Sequence, residues 1–329
     1  MRGVTRVFTG TETRELDRIA IEELGIAGLT LMRRAGLFAF DEMSDRWHGA
    51  GSVSLMCGAG NNAGDGYIVA GLARNRGIRV QLIQVGDAGK LRGDARSAYD
   101  WAVEQGVDPD PAGTAPDGEV VVDALLGTGA AGAVRPAFAD AIKRINDARA
   151  PVVAMDIPSG IHADTGAPLT EEPVRADLTT TFIAVKLGLV TGAGVDHAGE
   201  LAVTDLEVPA EVFSRVRGLR VLADEHVATR RPGAHKNQSG HVLVVGGERG
   251  MGGAAVLAAR AALATGAGLV SVATRSEHVA ALIGARPEVM ARGVDDPAAG
   301  DFGELLERAS VIAVGPGLGR GVWGLSLIH

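Results

Sequence analysis

The chain has 329 residues, of which 46% are hydrophobic and 22% are charged, and its formal net charge is −8. This length and apolar content suffice for the cores of two soluble globular domains. The lysines and arginines are dispersed and form no basic stripe of the kind that binds a phosphate backbone. Nucleic acid is therefore excluded as an expected partner.

Cysteine usage and the apolar runs indicate the compartment. Cys57 is the single cysteine of the sequence, which excludes an intramolecular disulfide. The N-terminal segment lacks the apolar core of a signal peptide, and no run approaches the roughly 18 apolar residues of a membrane span. We therefore expect a cytoplasmic protein with no membrane partner.

The first 210 residues alternate between helical and strand-like patterns. Apolar residues at mostly helical spacing predict two helices between residues 11 and 43. Helices are also predicted near residues 66–75, 91–105 and 137–147, and strands at SVSLMC, VQLIQV, EVVVDALLG, PVVAMDIPSG, ADLTTTFIAV and ELAVTDLEV. This alternation predicts a mainly parallel sheet with helices on both faces, which is a Rossmann-like three-layer αβα fold.

A second strand, glycine loop and helix begins after a polar segment, in HVLVVGGERGMGGAAVLAARAALATGAG. We expect a first domain at residues 1–222, a linker at 223–240 and a second domain at 241–329. The second domain offers few strands, LVSVATR and VIAVGPGLG being the clearest further ones. The final LSLIH looks like the translation of a sequencing adapter, so we expect the second domain to be incomplete.

The stretch CGAGNNAGDG, residues 57–66, is a glycine loop between a predicted strand and a predicted helix. Such a loop offers backbone N–H groups to an anion. Gly58, Gly60 and Ala63 satisfy the dinucleotide fingerprint G-x-G-x-x-A. The acidic residue that would bind the ribose about 20 positions later is absent, which disfavours an NAD-dependent oxidoreductase. Asp65 is interpreted first as the N-cap of a helix that starts at the next residue.

Oxygen-bearing side chains follow several predicted strands. Asp123 and Asp156 each end an apolar strand, and Asn62 and Ser159 lie on loops near the same sheet edge. Either aspartate alone is equally well explained as a turn cap. Together the residues offer carboxylate, amide and hydroxyl oxygens without the dense carboxylates of a Mg²⁺ or Ca²⁺ site. The pattern favours a monovalent cation.

Four motifs together resemble the NAD(P)H-hydrate epimerase family: CGAGNNAGDGYIVA, VVDALLGTG, DIPSG with the following ADTG, and TFIAVKLGLVTG. HKNQSGHVLVVGG, GAAVLAARAALATGAGLVSVA and VGPGLG resemble the beginning of the ADP-dependent NAD(P)H-hydrate dehydratase, a ribokinase-like α/β domain. The resemblance implies metabolite repair. Its substrates are hydrated NADH and NADPH, abbreviated NADHX and NADPHX, whose R and S forms an epimerase interconverts.

The resemblance also implies residue roles. A potassium ion would be bound by Asn62, Asp123 and Ser159. Proton transfer at the epimerised carbon would fall first to Asp123 and second to Lys186. The phosphates would lie on residues 127–133, and the epimerase substrate would contact Asn61, Asn62, Ala63, Gly64, Asp65, Gly127, Thr128, Gly129, Ala130, Ala131, Gly132, Ala133 and Asp156. In the second domain Ala254 and Gly317 match early substrate-contacting positions of the dehydratase.

The remaining expectations concern activity and partners. ADP or ATP with Mg²⁺ would serve only a complete dehydratase domain, and no later nucleotide-binding segment or catalytic aspartate of that family is recognised in this sequence. We therefore expect epimerase activity without dehydratase activity. The expected partner is the small-molecule substrate, and the sequence is compatible with a homo-oligomer. The alternative from another class is a binding module that keeps the fold and has lost the chemistry.

Overall fold

The computed structural model describes residues 6–220, 235–296, 298 and 301–328. The chain divides into two compact units, residues 1–224 and residues 225–329, which we describe separately. Most of the predicted linker, residues 223–240, lies outside the described residues, so the proposed domain limits remain predictions.

The first unit is built on a seven-stranded parallel sheet with the order β4-β3-β2-β5-β6-β7-β8. A separate antiparallel pair joins β1 to β9. The strands of this unit are β1 Arg6–Val7, β2 Ser52–Cys57, β3 Arg79–Gln84, β4 Pro109–Pro111, β5 Val120–Ala124, β6 Val152–Met155, β7 Leu178–Phe182, β8 Glu200–Thr204 and β9 Leu219–Arg220.

Helices cover both faces of this sheet. They are α1 Gly10–Arg18, α2 Gly28–Arg46, α3 Asn61–Asn75, α4 Gly93–Glu104, α5 Pro136–Asp147, α6 Gly194–His197 and α7 Ala210–Arg215. Leu55 of β2 is buried in one apolar cluster with residues of α1 to α4, while the next residue, Met56, is buried in another with residues of α5. Alternate side chains of a strand point to opposite faces, so burial on both sides of the sheet explains why all six residues of β2 are buried.

The second unit contains a four-stranded parallel sheet with the order β12-β11-β10-β13. Its strands are β10 His241–Val245, β11 Leu269–Thr274, β12 Met290–Gly293 and β13 Val311–Val314. Its helices are α8 Gly252–Ala264, α9 Val279–Ala285, α10 Asp301–Arg308 and α11 Val322–Ile328. Two apolar clusters, one on each side of β10, form its core.

The predicted α/β fold class is confirmed in both units. One helix boundary was predicted wrongly: α3 begins at Asn61, five residues before the expected start, and its N-cap is Gly60. Asp65 is therefore inside the helix and is not its N-cap. The sequence patterns also missed the two-residue strands β1 and β9 and the short strands β4 and β12, which are too brief to show a periodicity of their own.

Candidate functional site

A cavity of about 780 Å³ lies at the carboxyl ends of the central strands of the first unit. Residues that follow β2, β5, β6 and β7 line it, together with residues of α1, α2 and α3. Open α/β sheets bind ligands in the crevice outside the carboxyl ends of their strands. The position of the cavity is therefore the one that the fold favours for a ligand.

The glycine loop after β2 brings α3 close to this cavity. A Cβ atom at Gly58 would overlap the carbonyl oxygen of Leu125, so the close approach to β5 requires glycine here. Gly60 is extended, and the helix begins directly after it. The first turn of α3 consequently presents Asn61 and Asn62 to the cavity, and the second turn presents Asp65.

Two of the predicted substrate contacts on α3 do not line the cavity. Ala63 is fully buried in the apolar core on the side of the sheet that α1 to α4 cover. A Cβ atom at Gly64 would lie 2.5 Å from the Cε atom of Met32, which shows that this residue faces α2. Asn61, Asn62 and Asp65 thus carry the polar chemistry of the stretch, while Ala63 and Gly64 set how closely its helix packs.

A buried polar network connects Asp123 and Ser159 beneath the cavity. The Ser159 hydroxyl donates to Asp123 Oδ1 at 2.7 Å, and the Ser159 backbone N–H donates to Asp123 Oδ2 at 2.8 Å. The backbone N–H of Leu125 also donates to Asp123 Oδ1, at 3.2 Å. Burial raises the pKa of Asp123 to about 6, although these hydrogen bonds favour its charged form and oppose the rise.

Asn62 is joined to this network through one peptide. Its Nδ2 donates to the carbonyl oxygen of Leu126 at 3.0 Å, and the backbone N–H of Leu126 donates to the Ser159 hydroxyl at 2.9 Å. Asn62 Oδ1 is buried and has no hydrogen-bond partner among the described residues. A buried carbonyl without a partner calls for an explanation, such as a bound ion or water. We call Asn62, Asp123 and Ser159 the oxygen cage, and its donor set fits a potassium ion.

Asp156 and Lys186 form a buried ion pair that lines the cavity. The Lys186 side chain is 1% exposed, and its Nζ also donates to the carbonyl oxygen of Phe182 at 2.8 Å and to Thr181 Oγ1 at 3.1 Å. Asp156 has a φ of 65°, a backbone conformation that aspartate tolerates better than most residues. The turn after β6 therefore aims one carboxylate into the cavity, where Lys186 stabilises its charge.

Two further carboxyl groups lie near this pair. Asp17 on α1 and Asp65 on α3 both line the cavity. Burial raises the pKa of Asp17 to about 6, and the negative charge of Asp156 adds to the rise while Lys186 opposes it. Burial likewise raises the pKa of Asp65, with Asp156 and Asp17 contributing. We call Asp17, Asp65, Asp156 and Lys186 the carboxylate–lysine cluster.

Asp17 was missed by sequence reasoning, and Asp123 lies beneath the cavity, bonded to Ser159. Asp17 belongs to no motif. The helical periodicity of its segment places it outside the apolar face but does not indicate what it contacts. Asp123 is fully buried and does not line the cavity, so the first candidate for proton transfer has no access to a ligand there. The second candidate, Lys186, does line it.

The loop after β5 forms the side of the cavity above the cage. Gly127, Thr128, Gly129 and Ala130 line it, whereas Ala131, Gly132 and Ala133 are exposed and do not. A Cβ atom at Gly127 would lie 3.2 Å from Cβ of Asn62, so the loop rests directly on the cage. The predicted phosphate segment is thus divided, with its first four residues at the cavity.

The residue at the end of β3 helps to decide whether the protein is an NAD-dependent oxidoreductase. Gln84 occupies this strand end, where a dinucleotide enzyme has an acidic residue for the ribose. Its Nε2 donates to the carbonyl oxygens of Gly58 at 2.7 Å and of Gly86 at 2.8 Å, and its Oε1 accepts from the Tyr67 hydroxyl at 2.7 Å. The amide is used to hold the glycine loop, which again disfavours a conventional dehydrogenase.

The two predicted contacts of the second unit lie side by side. Gly317, with a φ of 62°, follows β13, and a Cβ atom there would lie 3.0 Å from Cβ of Ala254 in the first turn of α8. The glycine turn after β10 adjoins them, since Glu248 N donates to the Gly317 carbonyl oxygen at 2.7 Å. The structure therefore brings Ala254 and Gly317 together at the carboxyl end of this sheet.

Carboxylate-rich metal clusters and membrane-spanning helices are both absent from the described part of the chain. No group of three or more His, Cys, Asp or Glu residues there is arranged to hold a metal ion. The oxygen cage has only one carboxylate, so it is a different kind of site. In the same residues, no helix combines the length and apolar character of a membrane span.

The structure defines an α/β protein with a cavity at the carboxyl edge of its sheet, and comparisons with known proteins identify its family. Residues 28–188 match the family described as YjeF-related protein N-terminus, and residues 242–329 match NAD(P)H-hydrate dehydratase. The bifunctional NAD(P)H-hydrate repair enzyme Nnr of Coxiella burnetii is 42% identical over 99% of this chain, and that of Escherichia coli is 38% identical over 97%. The chain belongs to the family of bifunctional NAD(P)H-hydrate repair enzymes.

A solved structure supports the fold of the first unit. The crystal structure of yeast YNL200c matches with a TM-score of 0.56 at 16% identity, covering 67% of this chain and 96% of the yeast chain. The chain spans 67% of the Coxiella burnetii relative and 62% of the Escherichia coli relative. A dehydratase region is present in this chain, and the comparisons do not support the prediction that it is incomplete and inactive.

Proposed function

We propose that the first unit epimerises NADHX and NADPHX. The observation that carries the proposal is the carboxylate–lysine cluster, which places proton-transferring groups in a cavity large enough for a ligand. The same cavity is bordered by the glycine loop and by residues 127–130, whose backbone would receive the phosphates. Membership of the repair-enzyme family supports this choice of substrate.

The chemistry of the substrate determines which proton transfers the site must perform. The reduced nicotinamide ring contains an enamine, which adds a proton at the carbon β to nitrogen and water at the carbon next to nitrogen. The R and S forms differ at that hydroxyl-bearing carbon. Interconversion through the ring therefore requires loss of the hydroxyl as water and addition of water to the other face, with proton transfer in both steps.

Asp156 is assigned the proton transfer for the incoming water. Lys186 stabilises its negative charge, so the carboxylate is available to accept a proton. Lys186 itself donates to Asp156, Thr181 and Phe182, which makes it a positioning residue for the carboxylate. This assignment replaces Asp123, which does not line the cavity, as the first candidate.

The oxygen cage supports the site from below. We infer that Asn62, Asp123 and Ser159 would hold a potassium ion, whose positive charge would favour the ionised form of Asp123 and fix the loop above it. The buried and unpartnered Oδ1 atom of Asn62 supports this inference. Ion binding would keep Asn62 and Gly127, which adjoin each other, in the arrangement that shapes the cavity.

The rival interpretation is a binding module without chemistry. A module of that kind does not need several carboxyl groups with raised pKa values beside an ion pair, because such groups cost stability. The test is conversion of purified R-NADHX by the full chain, with the S form quantified by chromatography. Conversion above the spontaneous rate is expected, and its absence would favour the binding module.

A second activity is proposed for the second unit, because residues 242–329 match the dehydratase family and Ala254 adjoins Gly317. We infer that this region takes part in nucleotide-dependent dehydration of the S form, with ADP or ATP and Mg²⁺ as cofactors. The test supplies S-NADHX with each nucleotide and follows the return of NADH fluorescence. Cytoplasmic location and self-association remain predictions from the sequence.

A further inference from the structure

Asp17 belongs to the cavity but to no motif of the sequence. It is the next-to-last residue of α1, two positions before a π-helical turn at Ile19–Glu23. Such turns are frequent at functional sites, because the extra residue changes the direction in which side chains point. The carboxyl group lines the cavity, and it accepts no hydrogen bond within the described part of the chain.

Burial explains why Asp17 can hold a proton, and the charges around it modify that effect. Asp156 and Asp65 bring negative charge towards it, and Lys186 is bonded to Asp156. Burial raises the pKa of Asp17 to about 6. Lys186 lowers this pKa and Asp156 raises it, so the one ammonium group that the three carboxyl groups share does not cancel the effect of burial. The other charged residues that line the cavity are Arg14, Arg18, Glu22, Asp94 and Arg135.

The cations nearest in sequence do not neutralise Asp17. Arg18 is paired with Glu15, Glu22 and Glu23, and Arg14 donates to the hydroxyl of Thr11 and to the Thr128 carbonyl oxygen. Asp17 is thus the counterpart of Asp156: one carboxyl group is bonded to Lys186 and the other is not. A site with both kinds can supply a base and an acid at the same pH.

We propose that Asp17 is the catalytic acid of the epimerisation, an inference that rests on the proposed function of the first unit. Its carboxylic acid gives a proton to the substrate hydroxyl, the C–O bond breaks and water leaves, while the electron pair of the ring nitrogen forms a C=N bond. Water then adds to the opposite face of that carbon, and its proton passes to Asp156. Solvent in the cavity returns the proton to Asp17, so no oxidant or reductant is consumed.

The test compares Asp17→Asn and Asp17→Glu with the full-length wild-type chain, using R-NADHX and chromatography of the S form over a range of pH. Wild-type kcat/KM is expected to fall as pH rises through about 6, because the acid loses its proton. Asp17→Asn should be at least about 10²-fold slower and should lack this fall. In Asp17→Glu, kcat/KM should still fall with rising pH, but at a shifted pH. A side chain with only a structural role would not shift the pH of this fall.

A matched control is Asp140→Asn, since Asp140 is exposed on α5 and does not line the cavity. It should leave both the rate and the pH profile unchanged. Conversion by Asp17→Asn within tenfold of wild type, or an unchanged pH profile in either variant, would overturn the role of Asp17 alone. If Asp17→Asn does not fold, the profile of Asp17→Glu decides. No conversion by the wild type would instead overturn the proposed function together with this inference.

Discussion

The oxygen cage and the carboxylate–lysine cluster lie at the same sheet edge but are built in opposite ways. In the cage, both Asp123 oxygens accept hydrogen bonds, and Ser159 both donates and accepts. In the cluster, Asp156 is paired, whereas Asp17 accepts no hydrogen bond among the described residues. The difference separates a hydrogen-bonded support from a surface that faces the cavity, where carboxyl groups with raised pKa values are typical of functional sites.

The two regions also differ in access. Asp123 and Ser159 are almost completely buried, so they can act on a ligand only through the loops that they hold. Asp17, Asp65, Asp156 and Lys186 all line the cavity. Substitutions in the cage should therefore change stability and ion dependence, while substitutions in the cluster should change turnover directly. Lys186 should change stability as well, because its side chain is buried in an ion pair.

The largest stability effect is expected from Lys186→Met. The substitution keeps the volume of a side chain that is 1% exposed but leaves Asp156 without its cation. Removing one partner of a buried ion pair typically costs about 3–5 kcal/mol. Urea denaturation measures the free energy of unfolding, and Lys143→Met is the control, because the pair of Lys143 with Asp147 is exposed and should be worth about 1 kcal/mol or less. Equal losses in both variants would show that the buried pair has no special role.

Asp123→Asn should have the next largest effect on stability. Asparagine has one acceptor oxygen and an NH₂ group, so it cannot accept from Ser159 on both sides as the carboxylate does. We expect a loss of about 1–3 kcal/mol and a weaker stabilisation by K⁺, measured by thermal unfolding in KCl. A fall in turnover of 10²-fold or more with unchanged stability would return proton transfer to Asp123.

Asp17→Asn should increase stability, whereas the two preceding substitutions should decrease it. Because the pKa of Asp17 is raised from 3.8 to about 6, its contribution to stability is fully present below pH 3.8 and is lost as pH rises through about 6. At about pH 7.5 the wild type therefore carries a half-buried charge that the variant lacks. We expect the variant to be more stable by about 1–3 kcal/mol at that pH and equal at about pH 3. A destabilised variant at about pH 7.5 would contradict the burial of this charge.

The smallest effect is expected from exchanging the ion. A cage fixed by hydrogen bonds cannot contract freely around Na⁺ or Li⁺, so thermal unfolding should occur at a lower temperature in their chlorides than in KCl. A difference of about 1 kcal/mol corresponds to about 2–4 °C for a unit of this size. Equal unfolding temperatures in the three salts would argue against a selective potassium site.

The oxygen cage could be predicted from the sequence because its residues belong to short, recognisable motifs. Asn62, Asp123 and Ser159 follow strands or glycines whose pattern is visible, and the structure brings them together through Leu126. The central parallel strands were predicted for the same reason, since long apolar runs are typical of strands buried on both faces. Accessibility was not predictable, because a strand-end aspartate points either under the loop, as Asp123 does, or into the cavity, as Asp156 does.

Long-range placement explains what the sequence did not reveal. Asp17 lies 48 residues before Asp65 in the chain, and only the packing of α1 against the sheet edge brings both to one cavity. The start of α3 was missed because glycines and asparagines are typical of loops, whereas here close packing stabilises them in a helix. Tertiary contacts decided both cases.

The central claim, that the first unit is an epimerase acting through the carboxylate–lysine cluster, is tested most directly by Asp156→Asn. Asparagine tolerates the φ of 65° at this position, so the substitution removes the charge without straining the turn. It also leaves Lys186 without its anion, so the stability of the variant is measured beside its activity. The measurement is R-to-S conversion of NADHX by wild type and variant, with circular dichroism to confirm the fold. We predict conversion by the wild type and a loss of about 10²-fold or more in the variant. Conversion by a folded variant at close to the wild-type rate would contradict the claim.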